Sequence, residues 1–131
     1  QLSQASGPSS AVHEGCHRED RSLIIMIKVR MITGSDGRVS GFSIKGHSGT
    51  ADYGHDLVCA SVSALAQTAI VGVEEYLHRE VKYERASGKL NMTLKDTPDD
   101  LTETIFQTML LGFQKIKNGN PEAIEISWQR R

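Results

Sequence analysis

A thiol and an imidazole lie twelve residues apart in the segment GHSGTADYGHDLVCASVSAL, residues 46–65. The thiol belongs to Cys59 and the imidazole to His47. A thiolate is a strong nucleophile, and a neighbouring imidazole can accept the proton that the thiol loses. The glycines around them are Gly46, Gly49 and Gly54. Glycines let a loop fold back on itself, so this segment predicts a cysteine nucleophile with a histidine base, joined by a loop over 48–55 that closes on a substrate.

The residues next to the thiol favour its reactivity. Asp56 directly precedes an apolar run and is a preferred N-cap residue, which predicts a helix from Leu57 onward. Cys59 then falls in the first helical turn, where unsatisfied backbone N–H groups and the helix dipole lower a thiol pKa from about 8.5 toward neutrality. Ser63 follows one turn later and can face the same site. We therefore predict supporting roles for Asp56 and Ser63.

Other interpretations of these residues stay open. A cysteine in an apolar helix is often a small packing residue. His55, four residues before Cys59, is a rival base that ranks second because a residue beside the cap is expected to point into solvent. His47, His55, Cys59 and Asp52 also suggest zinc, but their H-x7-H-x3-C spacing matches no compact zinc pattern. No glycine-rich phosphate loop is present in the sequence, so we predict neither a metal nor a cofactor.

Composition limits the partners of this chain. Its 131 residues, 38% of them hydrophobic, suffice for one domain with a core. A net charge of -1 gives no overall attraction for nucleic acid or anionic membranes, so binding of that kind would need a local basic patch, and we predict neither partner. The apolar run 57–73 is interrupted by polar residues and is expected to be too short and polar to span a bilayer. Cys16 and Cys59 do not form a disulfide framework, which favours the cytoplasm.

Periodicity predicts an α/β fold of the two-layer α+β type. Residues 1–25 have no apolar period and are predicted to be a flexible leader, native or left from expression, while 26–131 form the domain. The predicted elements are strands 26–33 and 38–46 joined by a turn at 34–37, a helix 57–80, strands 81–86 and 89–95, a helix after Thr97 and Pro98 that ends at Asn118-Gly119, and a strand 123–129. This ββαββαβ order predicts a mixed sheet with both helices on one face.

Details of two elements can also be predicted. Gly41 suggests a bulge that shifts the register between Val39 and Phe42 in the second strand. In the second helix, the apolar stripe predicted to face the core consists of Leu101, Ile105, Met109, Phe113 and Ile116.

The segment 46–65 also resembles the signature of the ribosomal-processing cysteine protease family, called Prp or YsxB-like. That signature reads G-H-x-G, then G-x-D-I/L-V-C-A-x-V-S. The matching positions are Gly46, His47, Gly49, Gly54, Asp56, Val58, Cys59, Ala60, Val62 and Ser63. The element order from Met26 to Trp128 is similar to that of the family as well, whereas the leader lies outside the resemblance.

The resemblance implies a homodimeric endopeptidase of Firmicutes and related bacteria. Its substrate would be large-subunit ribosomal protein twenty-seven, from which it removes a short N-terminal extension by a cut after two aromatic residues. Carried over by position, Cys59 becomes the nucleophile, His47 the general base and Asp56 a supporting residue. Two alternatives remain: a non-catalytic ribosome-assembly or ribosomal-protein-binding module in which Cys59 only packs, and a metal-dependent protein that uses His47 and Cys59.

Overall fold

Two helices lie against one face of a five-stranded sheet in the computed structural model of this protein, which describes residues 26–47, 53–86 and 88–131. The elements are β1 (Ile27–Thr33), β2 (Val39–His47), α1 (Tyr53–Val71), β3 (Val81–Ala86), β4 (Gly88–Leu94), α2 (Asp100–Gly119) and β5 (Ile124–Arg130). This order confirms the predicted ββαββαβ arrangement. The predicted leader, 1–25, lies outside the described residues, and the domain boundary at 26 stays a prediction.

The first helix differs from its prediction at both ends. It begins at Tyr53, four residues before the predicted start at Leu57, and its α-helical part ends at Val71. A π-helical turn over Gly72–Tyr76 follows, and His78 then adopts a left-handed backbone with a φ of 59°. The chain therefore leaves the helix before residue 80, because the wide turn and the left-handed residue redirect it toward β3.

The sheet is mixed, as predicted. The strand order is β3-β4-β2-β1-β5, in which β1 and β5 run parallel and the other neighbours run antiparallel. Along β1, Ile27, Val29 and Met31 are buried while Lys28 and Arg30 are exposed. One face of the sheet is thus covered and the other faces solvent. We call them the helix-bearing face and the open face.

Both helices pack on the helix-bearing face. The buried residues of α1 and its π-helical turn are Val58, Cys59, Val62, Ala66, Ala69, Ile70 and Val73. Those of α2 are Thr102, Phe106, Met109, Leu110 and Phe113. The Phe106 ring packs edge-on against Phe42 of β2, with ring centroids 6.0 Å apart. Helix and sheet therefore share one hydrophobic core.

The buried stripe of α2 is rotated relative to its prediction. Met109 and Phe113 are buried as expected, but Leu101 is 56% exposed and Ile105 is only partly buried. Thr102 and Phe106 occupy the core instead. The spacing of the apolar residues is compatible with both orientations of α2 about its axis. In the observed orientation Thr102 is buried and makes its capping contact with Asp99.

The predicted bulge in β2 is confirmed. Ile32 pairs with Gly41 and Thr33 with Val39, so Ser40 is the extra residue on β2. The bulge lets Val39 and Phe42 share the buried side although they lie three residues apart. At Gly41 the neighbouring strand comes so close that a Cβ atom would lie 2.4 Å from the carbonyl oxygen of Met92.

Two glycine-to-alanine changes are expected to differ in their effect on stability. Gly41→Ala should lower the free energy of unfolding by about 2–3 kcal/mol, because the added methyl group meets the backbone of β4. Gly112→Ala should change the free energy of unfolding by less than about 1 kcal/mol. The added Cβ meets only the end of the Leu65 side chain, and alanine has a higher helix propensity than glycine. Urea unfolding measures both, and equal losses would contradict this account.

Helix α2 begins at a different cap from the predicted Thr97. The cap is Asp99, whose Oδ1 atom accepts hydrogen bonds from the backbone N–H groups of Leu101 and Thr102 at 2.9 and 3.0 Å. The hydroxyl oxygen of Thr102 accepts in return from the N–H of Asp99, at 2.9 Å. Arg79 donates to the Oδ2 atom at 2.8 Å. The capping box was missed because Thr102 stands where glutamate or glutamine is usual.

This cap predicts a dependence of stability on pH. The hydrogen bond from the N–H of Thr102, followed by the contact with Arg79, lowers the pKa of Asp99. A carboxylate with a depressed folded-state pKa stabilises the fold fully above its unfolded pKa of about 3.9, and this contribution is lost as the pH falls through the folded pKa. Asp99→Asn should therefore flatten the fall in unfolding free energy below about pH 4. Asp96→Asn, at an exposed residue, is the matched control; equal flattening in both variants would refute the assignment.

Candidate active site

A bulge at the end of β2 determines the register of position 47. Lys45 and His47 are two residues apart on β2, whereas their partners on β4, Lys89 and Gly88, are adjacent in the chain. The extra residue is Gly46, whose φ of 94° lies in the left-handed region that glycine adopts without strain. Because Lys45 and Lys89 belong to the open face, position 47, paired with Gly88, falls on the helix-bearing face. Without the bulge it would belong to the open face.

Cys59 lies on the same side of the sheet. It is 7% exposed and sits on the buried side of α1, between Val58 and Val62 in the core cluster. Helix α1 contacts β2, the strand that ends at His47. By register and burial, position 47 and Cys59 therefore belong to the same side of the sheet. The side chain of His47 lies outside the described part of the chain.

The prediction that Asp56 caps α1 is wrong. Asp56 is the fourth residue of a helix that begins at Tyr53, so Cys59 is the seventh and lies in the second turn. Helix-dipole effects fall off within the first turn. The first-turn argument for a lowered thiol pKa therefore has no support in the helix boundaries. A different role for Asp56 stays a prediction, and its side chain lies outside the described residues.

The helix boundary also changes the position of the rival base. His55 is the third residue of α1 and precedes Cys59 by one turn. Residues four apart on a helix are neighbours on its surface. The reason for ranking His55 second was its place beside a cap, and that reason no longer holds. By backbone position, His55 is therefore a neighbour of Cys59 on α1, while position 47 belongs to the facing strand, β2.

Ser63 is part of a polar pair that the sequence did not reveal. It lies one turn beyond Cys59, is half-buried, and accepts a hydrogen bond from the Nε2 atom of Gln67 at 2.9 Å. Cys59, Ser63 and Gln67 therefore follow one stripe along α1 at four-residue spacing. The role of Gln67 was missed, although that spacing is visible in the sequence.

The glycines predicted for a substrate loop have separate positions. Gly46 forms the β2 bulge, and Gly54 is the second residue of α1, so Gly54 does not belong to a loop as predicted. Gly49 lies outside the described residues, as does most of the predicted loop over 48–55. Among residues 26–47, 53–86 and 88–131, no group of three metal-ligating side chains is placed to hold an ion.

The prediction that the apolar run 57–73 is too short and too polar to span a bilayer does not hold for the helical stretch that contains it. By length and composition alone, the helical stretch Leu57–Tyr76 is sufficient to cross a membrane. In the fold, its buried residues pack into the core shared by the helices and the sheet. Only 39% of this stretch is buried, so the core accounts for the apolar residues of its buried side alone.

Comparison with known proteins identifies relatives along nearly the whole described chain. A family described as "Cysteine protease Prp" matches residues 26–125. The ribosomal processing cysteine protease Prp of Staphylococcus aureus is 31% identical over 107 residues, which cover 79% of this chain and 100% of that protein.

Solved structures share the fold. The S. aureus Prp protease in complex with a substrate peptide matches this chain with a TM-score of 0.74 and 26% identity. The same protease with a covalently linked product peptide matches with a TM-score of 0.71 and 27% identity. Each match covers 79% of this chain and 100% of the solved chain. SMU.848 from Streptococcus mutans, with a TM-score of 0.74 over 82% of this chain and all of its own, is 22% identical and supports the fold alone.

Proposed function

This chain belongs to the cysteine protease Prp family, and from that premise we propose that it removes the short N-terminal extension of large-subunit ribosomal protein twenty-seven in the bacterial cytoplasm. Cys59 acts as the nucleophile and His47 as the general base. The observation that carries the proposal is the Gly46 bulge, which puts position 47 on the face of the sheet against which Cys59 is buried. One related protease, solved with a substrate peptide and with a covalently linked product peptide, supports a peptide-cleaving site in this fold.

The proposed reaction has two stages. In the first, the Cys59 thiolate attacks the carbonyl carbon of the scissile bond, a C–S bond forms, and the C–N bond breaks as His47 gives its proton to the leaving amine. In the second, His47 takes a proton from water, the resulting hydroxide adds to the thioester, and the C–S bond breaks to release the acid. The thiolate and the protonated imidazole are thereby restored.

The first turn of α1 supplies candidates for stabilising the oxyanion. A helix leaves its first four N–H groups without partners inside the helix, which here are the groups of residues 53–56. Side chains on a helix lean toward its N-terminus, so the thiol of Cys59 is directed toward this turn. Backbone N–H groups aimed at a developing negative charge lower the barrier to acyl transfer.

Cleavage of the extended ribosomal protein tests the proposed substrate. Incubation should remove the extension at one position, directly after its two aromatic residues, and mass spectrometry should show a single mass decrease. The matched control is the same protein with both aromatic residues replaced by alanine, which should stay intact. An uncut natural extension, or equal cleavage of the control, would exclude this substrate.

The Gly46 bulge predicts an effect of substitution on activity, and a second glycine, Gly37, provides the control variant. Gly46→Ala places a side chain at a φ of 94° and should lower kcat/KM by about 100-fold, because a shift of position 47 by about 1 Å misaligns the base. Gly37→Ala introduces the same kind of strain at a φ of 83°, in a turn with no atom within 4 Å of the new Cβ. Both variants should lose about 1–2 kcal/mol of stability, but Gly37→Ala should stay active. Equal activity losses would reject a special role for the bulge.

We further propose a homodimer formed through the outer side of the two helices. Four large apolar side chains lie there with about half their surface exposed, Leu57, Val71, Leu101 and Leu111. The exposed residues of α1 from 57 to 71 carry no charge, so covering them desolvates no ion. Leu111→Glu should convert the dimer into a monomer in analytical ultracentrifugation. Trp128→Glu, which changes an equally exposed side chain on β5, should not; a dimer that survives Leu111→Glu would reject this interface.

A further inference from the structure

The open face of the sheet carries a row of three lysines on adjacent strands. Lys28 of β1 pairs with Lys45 of β2, which pairs with Lys89 of β4. All three side chains are exposed. Strands lie about 4.8 Å apart, so the row spans about 10 Å. Like charges directly opposite each other destabilise a sheet. Repulsion within the row therefore lowers the stability of the fold.

Protection of sheet edges does not explain this row. Lysines often blunt the unpaired edge strands of a sheet and so prevent aggregation. The edge strands here are β3 and β5, whereas the three lysines lie on β1, β2 and β4, each of which has a neighbour on both sides. Glu125 of β5 lies opposite Lys28, but Lys45 has a lysine on each side, so a bound anion would relieve the repulsion that remains there.

Further cations extend the patch across the same face. By alternation along the strands, Arg30 and Lys82 face the same side as the row, whereas Glu84 and Glu125 are the acidic residues there. Five cations thus face two carboxylates, although the whole chain has a net charge of -1. Within the described ranges none of the five forms an ion pair, since the ion pairs there use Arg38 and Arg79. This is the local basic patch that the composition could not show.

The remaining side chains of this face favour one class of partner. The partly exposed Asn91 and Thr93 supply amide and hydroxyl groups among the cations, whereas Ser43 is buried. A depression of about 220 Å³ on this face is lined by the cations Lys82 and Arg131, by Asn91, Thr93 and Glu84, and by Ile32 and Phe42. Ile32 and Phe42 are only 9% and 1% exposed, so neither offers an apolar anchor to a partner. No aromatic side chain has its register position on this face. A protein partner needs apolar or aromatic anchors, and a membrane needs apolar side chains that insert.

We propose that the open face binds double-helical RNA through its phosphate backbone. Affinity for a polyphosphate comes mainly from cations that displace counterions, and needs no apolar anchor. Hydroxyl and amide side chains between the cations suit the 2′-hydroxyl groups in the wide, shallow minor groove of RNA. Without aromatic residues for base stacking, binding is independent of sequence. The inference uses neither the cysteine nor the histidine and stands apart from the proposed peptidase reaction.

Fluorescence anisotropy with a labelled RNA duplex of about 16 base pairs tests this proposal. The test variant is Lys28→Gln/Lys45→Gln/Lys89→Gln. It should weaken binding at least about tenfold and reduce the slope of log Kd against log salt by about two to three, measured between about 50 and 200 mM salt. The same variant should melt at a higher temperature than the unchanged protein, because the repulsion along the row is removed.

A matched variant and three other ligands decide the outcome. Arg85→Gln/Lys115→Gln/Arg130→Gln removes the same charge from exposed residues away from the open face, and should keep most of the binding. Equal weakening by both triple variants would overturn the site, as would no RNA binding at low salt. Equal or tighter binding of a DNA duplex of the same sequence, a polyglutamate peptide or anionic vesicles would overturn the assignment to RNA.

Discussion

Replacing Cys59 with alanine is expected to abolish cleavage, lowering kcat/KM by at least about 10⁴-fold, because no other group in the proposed site can form the thioester. Stability should change little by comparison. Cys59 is buried, and deleting one sulfur atom leaves a small cavity that costs about 1 kcal/mol. Circular dichroism and urea unfolding measure the fold, and a fluorogenic peptide that spans the cleavage site measures the activity.

Val62→Ala is the control for this prediction. Val62 lies on the same buried side of α1 and is fully buried, so its truncation also leaves a cavity in the core without removing the thiol. We expect Val62→Ala to lose stability and to keep cleavage within about tenfold. If Cys59→Ala retained more than a tenth of the activity, or if both variants lost activity equally, Cys59 would be a packing residue and not the nucleophile.

Replacing His47 with alanine is expected to lower kcat by about 10³-fold, since the leaving amine then has no positioned proton donor. His55→Ala is the decisive comparison, because His55 precedes Cys59 by one turn of α1 and position 47 lies on the helix-bearing face. We expect His55→Ala to reduce kcat by less than about tenfold. The pH dependence gives a second readout: the limb of the kcat profile that reports the base should disappear only in the variant that lacks it.

The reverse pattern would change the mechanism. If His55→Ala lost about 10³-fold and His47→Ala stayed active, the base would lie on α1 itself, one turn before the nucleophile. The Gly46 bulge would then act in packing rather than in orienting the base. Equal, modest losses in both variants would exclude a single histidine base.

Much of the fold could be predicted from the sequence, because local patterns encode it. The alternation of Ile27, Val29 and Met31 with lysine and arginine identifies a half-buried strand, and Gly41 correctly marks a bulge. Helix boundaries were less predictable. Asp56 is an apt cap by residue type, yet α1 begins at Tyr53, since a good N-cap residue is also tolerated inside a helix.

The sequence by itself determined which reactive groups are present. These are a thiol and two nearby histidines, in a segment that resembles the signature of a protease family. Only the tertiary structure decided which positions share a face of the sheet. The side of the sheet on which position 47 lies depends on one extra residue, Gly46, and on its pairing with β4. Likewise, Lys28, Lys45 and Lys89 are far apart in the chain and form a row only through strand register. Side-chain type is local information, whereas register is set by pairing between distant segments.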